Sequence, residues 1–272
     1  MTHAPRVLIT GAGSGLGRAL ARAWARRGAR VLVADIAADR GAESVALCAD
    51  DGASEVHYLH LDVTAEADFI AARDWVTQHW AGLDVLVNNA GVAGGGSIDG
   101  ISEADWQWLL DINLLGVVRG CRVFAPLFRQ QQGGQFVNIA SMAGLLNPPG
   151  MSSYNVSKAG VIALSETLAA ELSPWQVRTL AVCPSYFQTR LDESLRTHDP
   201  AMKAALAKLI SNSTELSADD IAEGILAAVA NGDALYLPHP KARAAWQQKQ
   251  QDPAGFAEAM RAQAAKQAAS RS

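Results

Sequence analysis

The stretch RVLITGAGSGLG, Arg6 to Gly17, decides the fold. The β-branched run Arg6 to Thr10 reads as a strand, the glycine-rich segment as a turn, and Leu16 to Arg27, closed by Gly28, as an amphipathic helix. The glycine frame is specific. A G-x-G-x-x-G pattern begun at Gly11 would end on Leu16, and one begun at Gly13 would end on Arg18. The pattern present is TGxxxGxG, with Gly11, Gly15 and Gly17 fixed and Gly13 extra. Such glycines let the backbone turn tightly and approach a pyrophosphate, while the helix N-terminus offers unpaired N–H groups and a positive dipole end. Gly11, Gly13, Ser14, Gly15, Leu16 and Gly17 are therefore expected to bind a dinucleotide cofactor.

The strand and helix alternation continues outward from this turn. Strand candidates follow at Arg30 to Asp35, Glu55 to Val63, Leu83 to Asn89, Gln135 to Ser141, Val177 to Pro184 and Ala234 to Pro238. Helical patterns separate them, the longest at Ser102 to Gln131 and Ser152 to Leu172. Seven strands alternating with helices predict an α/β architecture: a doubly wound, parallel seven-stranded sheet, Rossmann-like, forming a single domain over residues 1–238. Residues 239–272 differ, with six basic side chains against two acids, plus Trp246, Phe256 and Met260. They are expected to form a basic helical extension that either docks, on its own subunit or a neighbour, or stays solvated.

Composition narrows the function. The 272 residues are 49% hydrophobic and 18% charged, which allows a substantial core and excludes disorder. A net charge of −4 gives no general attraction to nucleic acid or anionic lipid. No run approaches the ~18 apolar residues a membrane span needs. Cys48, Cys121 and Cys183 are odd in number and far apart, which suits small core residues in a reducing compartment, so a cytoplasmic protein is expected. No metal site is expected: His57 and His60 are three apart on a strand candidate and point to opposite faces. No G-x-S-x-G elbow for serine hydrolase chemistry occurs.

Asp35 ends the second strand 18 residues after Gly17, close to the ~20 at which an acid meets the adenosine ribose. Its carboxylate would accept from the 2′-hydroxyl and repel a 2′-phosphate. Two charges ~4 Å apart at an effective dielectric of ~20 interact by ~4 kcal/mol before relaxation and screening. NAD is expected over NADP, unless Arg18 or Arg40 swings in. The alternative for Asp35 is a plain helix cap before Ala37.

TGxxxGxG at Thr10 to Gly17, NNAG at Asn88 to Gly91, Ser141, and Tyr154-x-x-x-Lys158 together resemble the short-chain dehydrogenase/reductase family, over residues 5 to about 238. The chemistry reads independently. Tyr154 and Lys158 lie one helical turn apart on one face, so an ammonium near the phenol is expected to favour phenolate and make a general acid/base. Ser141, at a strand's C-terminal end, would hold the substrate oxygen. The resemblance implies that Lys158 also binds the nicotinamide ribose and that Asn113 anchors a proton-relaying water, completing a tetrad of Asn113, Ser141, Tyr154 and Lys158. It further implies that Asp62 and Val63 contact adenine, that Asn89, Ala90 and Gly91 pass beside the cofactor, and that Pro184 and Thr189 sit near the carboxamide. Ser185 departs from the family's glycine in PGxxxT, and a positive φ there would strain a serine.

The expected function is hydride transfer between NAD(H) and a secondary alcohol or ketone. The alternatives are an NADPH-dependent carbonyl reductase and a non-catalytic nucleotide sensor; the latter would need a broken tetrad. A nucleotide-sugar epimerase would place its middle glycine at Ser14 and needs a larger C-terminal domain. Gly91 to Ile101, Ala143 to Ser153 and Tyr186 to about Ser213 are expected to shape the pocket, the last resembling a mobile lid. Tyr186 and Phe187 hint at an apolar substrate, while Arg190 and Arg196 could reach it. The resemblance also implies a homodimer or homotetramer through the two long helices.

Overall fold

A computed structural model describes residues 4–189 and 191–269. In chain order it contains β1 (Arg6–Thr10), α1 (Gly15–Ala25), β2 (Arg30–Asp35), α2 (Ala38–Asp50), β3 (Glu55–His60), α3 (Glu66–Trp80), β4 (Val85–Asn88), α4 (Glu103–Leu110), α5 (Gly116–Gln131) and β5 (Gly134–Ile139). There follow α6 (Ala143–Leu146), α7 (Ser152–Glu171), β6 (Val177–Val182), α8 (Pro200–Ser211), α9 (Ala218–Asn231), β7 (Leu235–Tyr236), α10 (Pro240–Gln251) and α11 (Pro253–Ala269). The seven strands form one parallel sheet in the order β3-β2-β1-β4-β5-β6-β7.

Both faces of the sheet are covered, which is why its strands read as nearly continuous apolar runs. Successive residues of β1 point to opposite sides. Val7 and Ile9 join the core beneath α1 and α9, while Leu8 joins the one beneath α3, α5 and α7. The strand order reverses between β1 and β4, and a crevice at the C-terminal ends of parallel strands opens at such a switch point.

Two expected elements differ, and a third alternative left open by the sequence is resolved. The helix expected over Ser102 to Gln131 is broken by a π-helical turn, Asp111–Leu115, between α4 and α5. The extra residue is absorbed where Asn113 turns inward to bond the backbone of Val92. The third strand stops at His60, because Asp62 folds the chain back by accepting from the amide and hydroxyl of Thr64 (both 2.8 Å). The basic extension docks on its own subunit: Phe256 is buried, and Trp246 and Met260 pack against the same core as α5 and α7. Among the described residues no helix is long and apolar enough to cross a membrane. The three cysteines are buried thiols, and burial pushes Cys48 up to about 11 and Cys121 and Cys183 to about 12.

Candidate active site

A cleft of about 550 Å³ runs across the C-terminal ends of the central strands. Its floor is the first turn. Gly11 (φ +64°) and Gly15 (φ +51°) adopt left-handed backbone that favours glycine. Ser14 precedes α1 without a side-chain cap, leaving the helix's first amides to the cleft, and Leu16 closes one wall. The turn is tied to β4. The Thr10 hydroxyl accepts from the amides of Asn89 (3.0 Å) and Ala90 (3.1 Å), and the Asn89 amide nitrogen donates to the carbonyls of Thr10 (2.8 Å) and Gly11 (3.3 Å). The role of the Thr10 hydroxyl is not marked by the glycine spacing, although Thr10 stands at the head of that motif.

Two motif glycines stand behind the lining and not in it. A Cβ at Gly17 would come 2.2 Å from the Gly11 carbonyl oxygen, so its bareness serves helix packing. Gly13 donates its amide to Asp35 Oδ2 at 2.7 Å. Asp35 Oδ1 accepts from Ala37 N (2.9 Å), so the carboxylate caps the entry to α2 and lines the cleft at once. Arg18 is held by Glu43 (2.6 Å), and Arg40 lies 3.6 Å from Glu193. Asp62, Val63, Gly91, Pro184 and Thr189 all line the cleft.

The polar group at the far end is brought together by β5, α6 and α7. Ser141 Oγ accepts from Ala143 N (3.1 Å) and donates to the Pro184 carbonyl (3.4 Å). Tyr154 and Lys158 project from the first turns of α7 into the cleft. The ammonium of Lys158 donates to the Ile139 carbonyl at 2.9 Å and lies 5.8 Å from the centre of the Tyr154 ring. This corrects the expectation of a phenol made acidic by its neighbour. Burial pushes the Tyr154 phenol up to about 12, opposed by the Ser141 hydroxyl, and burial brings Lys158 down to about 8.

Asn113 does not reach the cleft surface. It is fully buried, with Oδ1 accepting from Val92 N (2.8 Å) and Nδ2 donating to Val92 O (2.9 Å). Ser185 carries no positive φ, so the expected strain is absent; its hydroxyl donates to Met142 Sδ (3.3 Å). Arg196 turns from the pocket to stack over Trp108 (3.7 Å) and approach Asp105 (3.5 Å), and Arg190 lies outside the described residues. Among the described residues no cluster of three or more His, Cys, Asp or Glu could hold a metal ion. His57 pairs with Glu55 at the surface.

The positive-φ glycine turn, the open helix start and the carboxylate at the end of β2 make a cradle whose shape and donors fit a dinucleotide. A parallel sheet with that cradle and a serine, tyrosine and lysine at one end defines a class of nucleotide-dependent oxidoreductases. The short-chain dehydrogenase model matches residues 5–200, and the chain belongs to the short-chain dehydrogenase/reductase family, whose relatives are named as dehydrogenases and reductases acting on CH–OH groups. It is 34% identical over 202 residues to a 3-oxoacyl-acyl-carrier-protein reductase of Thermotoga maritima, covering 74% of this chain and 81% of that one. It is 32% identical over 200 residues to a cyclopentanol dehydrogenase of Comamonas testosteroni, covering 74% and 80%. Among solved structures, a family member from Burkholderia phymatum in complex with NAD superposes with a TM-score of 0.86 at 33% identity, covering 93% of this chain and 95% of that one.

Proposed function

We propose that this chain is an NAD(H)-dependent dehydrogenase/reductase of small, uncharged secondary alcohols and their ketones. The observation that carries the reading is a second pocket, of about 50 Å³, which shares Ser141 and Tyr154 with the large cleft and has no charged side chain among its described lining residues. Met142, Met151, Tyr186, Phe187, Leu206 and Ile210 are among its lining residues. Burying a carboxylate or ammonium there would cost several kcal/mol, whereas a small hydrocarbon ring or short chain meets matching surface. Similarity to a protein named cyclopentanol dehydrogenase supports the same class.

When bound, the nicotinamide coenzyme supplies or accepts the hydride. The amides of Ser14, Gly15 and Leu16 would hold its pyrophosphate, Asp35 its adenosine ribose, Asp62 and Val63 its adenine, and Pro184 and Thr189 its carboxamide. Asn89, Ala90 and Gly91 would flank it, and Lys158 would hold the second ribose. Ser141 would turn its one hydroxyl proton from the Pro184 carbonyl to the substrate oxygen and orient that oxygen against Tyr154. In reduction Tyr154 gives its proton to that oxygen as the carbonyl carbon becomes CH–OH; in oxidation it takes the proton back. Gly13, Gly17 and Asn113 position these groups from behind. The 2.7 Å bond from Gly13 N to Asp35, together with the ion pairs that occupy Arg18 and Arg40, supports NAD over NADP. Assembly as a homodimer or homotetramer belongs to the same proposal, supported by Leu115 and Val156, which are exposed beside α5 and on α7.

The test is coenzyme-dependent absorbance over a panel of neutral cyclic and acyclic alcohols beside carboxylate- and amine-bearing analogues, with NAD and NADP in parallel. Turnover of neutral alcohols with NAD is expected. Preference for charged substrates, or for NADP, would overturn the corresponding part of the reading.

A further inference from the structure

The walls of the substrate pocket are tied from outside by the C-terminal extension. The peptide between Pro184 and Ser185 is gripped at both ends. Its carbonyl accepts from Met142 N (2.9 Å) and from the Ser141 hydroxyl (3.4 Å), and its N–H donates to Nδ1 of His239 (3.1 Å). His239 precedes α10, is only 2% exposed, and lies against Phe187 with ring centres 6.5 Å apart. An acceptor at Nδ1 fixes the neutral tautomer that carries its proton on Nε2. That Nε2 is buried without a hydrogen bond of good geometry, and the Tyr186 backbone is the polar group that bears on the ring. Space filling alone would be met more cheaply by an apolar side chain, because a desolvated N–H is costly. The imidazole's distinguishing contribution is its bond to the peptide that receives Ser141.

The same extension makes a second contact. Lys249 on α10 donates to the Leu145 carbonyl (2.5 Å) and, with the Asn147 amide nitrogen facing Ala143 O (3.2 Å), to Asn147 Oδ1 (3.1 Å). It thereby satisfies the Leu145 carbonyl at the end of α6. The start of α6 supplies the Ala143 amide that orients Ser141 Oγ. The middle of α6 is pressed onto α7, where a Cβ at Gly144 would stand 2.6 Å from Ala159 N and from the Lys158 carbonyl carbon. The extension therefore braces both chain segments that aim the serine hydroxyl.

We propose that His239 is a positioning residue for the reaction, holding the Pro184–Ser185 peptide so that the Ser141 hydroxyl stays beside Tyr154, with Lys249 steadying α6 from the same extension. This rests on the alcohol and ketone reading of Ser141 and Tyr154.

The experiment compares His239→Ala with His239→Asn, whose side-chain oxygen replaces Nδ1 as acceptor, and with His239→Gln, whose oxygen does not reach that place. The expected result is a kcat about five- to tenfold lower in His239→Ala and His239→Gln. The KM for NAD should move less than about twofold, and His239→Asn should recover most of kcat although its melting temperature falls as far. Equal kcat in the Asn and Gln variants, or losses that simply follow melting temperature, would overturn the proposal; that comparison also decides it should the Ala variant not fold. A readout independent of turnover is amide exchange at Ser185 in ¹⁵N-labelled protein without substrate, expected to be about tenfold faster in His239→Gln and restored in His239→Asn. Unchanged exchange, or faster exchange with unchanged kcat, would also overturn it. A wild-type protein inactive on every alcohol would instead sink the redox reading, and the grip of His239 on Ser185 would still be decided by exchange.

Discussion

The ammonium of Lys158 stands 5.8 Å from the centre of the Tyr154 ring and gives one of its three hydrogen bonds to the carbonyl of Ile139. Burial moves the phenol up to about 12 and the amine down to about 8, so both groups are pushed towards their neutral forms. A phenol in this state is almost wholly protonated at neutral pH, so the donor form is present throughout and the phenolate that would accept a proton is scarce. For ketone reduction, kcat/KM should therefore stay nearly level from pH 6 to 8. For alcohol oxidation it should rise over the same range, because the phenol must lose its proton first and is held well above that range by burial. Paired pH profiles check this; oxidation falling between pH 6 and 8 would contradict it.

Gly17→Ala should damage the cradle without touching the coenzyme. Its new methyl group would meet the Gly11 carbonyl oxygen at 2.2 Å and the Asn89 amide nitrogen at 2.5 Å, and one of these contacts is backbone. A loss of about 1–3 kcal/mol in stability is expected, with weaker NAD binding. Denaturant unfolding and coenzyme titration would measure both.

Asp35→Ser should relax discrimination against NADP. It removes the charge, and with it the bonds to Gly13 N and Ala37 N that aim the carboxylate. The ratio of kcat/KM for NAD to that for NADP should fall at least about tenfold, a fraction of the ~4 kcal/mol charge repulsion after screening. An unchanged ratio would mean that this acid does not face the ribose.

Asn113→Ala should act through stability as well as rate. The variant leaves the half-buried N–H and C=O of Val92 without their Asn113 partners, at about 1–3 kcal/mol. Because Gly91 and Val92 border the cleft, NAD affinity should fall together with stability. Asn113→Asp, which keeps an acceptor for Val92 N but turns a buried carboxylate oxygen on the Val92 carbonyl, should lose at least as much stability.

Much of this was legible in the sequence because it is written locally. The Arg6 to Gly17 stretch carries strand, turn and helix in consecutive residues, and the four-residue spacing of Tyr154 and Lys158 is set by helix geometry. What was not legible depends on distant partners. Nothing near Asn113 announces a π-helical turn, since its cause is the backbone of Val92, 21 positions away. The direction of the Tyr154 shift follows from burial supplied by the whole fold, which i,i+4 spacing cannot report. His239 reaches a loop 54 residues upstream and Lys249 the end of α6 104 residues upstream, and no motif surrounds either.

The central claim, that Tyr154 exchanges the substrate's proton, is tested most directly by Tyr154→Phe, assayed for NADH formation on the best neutral alcohol with NAD affinity measured on the same preparation. The account predicts kcat lower by at least about a hundredfold, the scale of general acid/base catalysis, with NAD bound within about threefold of wild type. Wild-type turnover in that variant would contradict it.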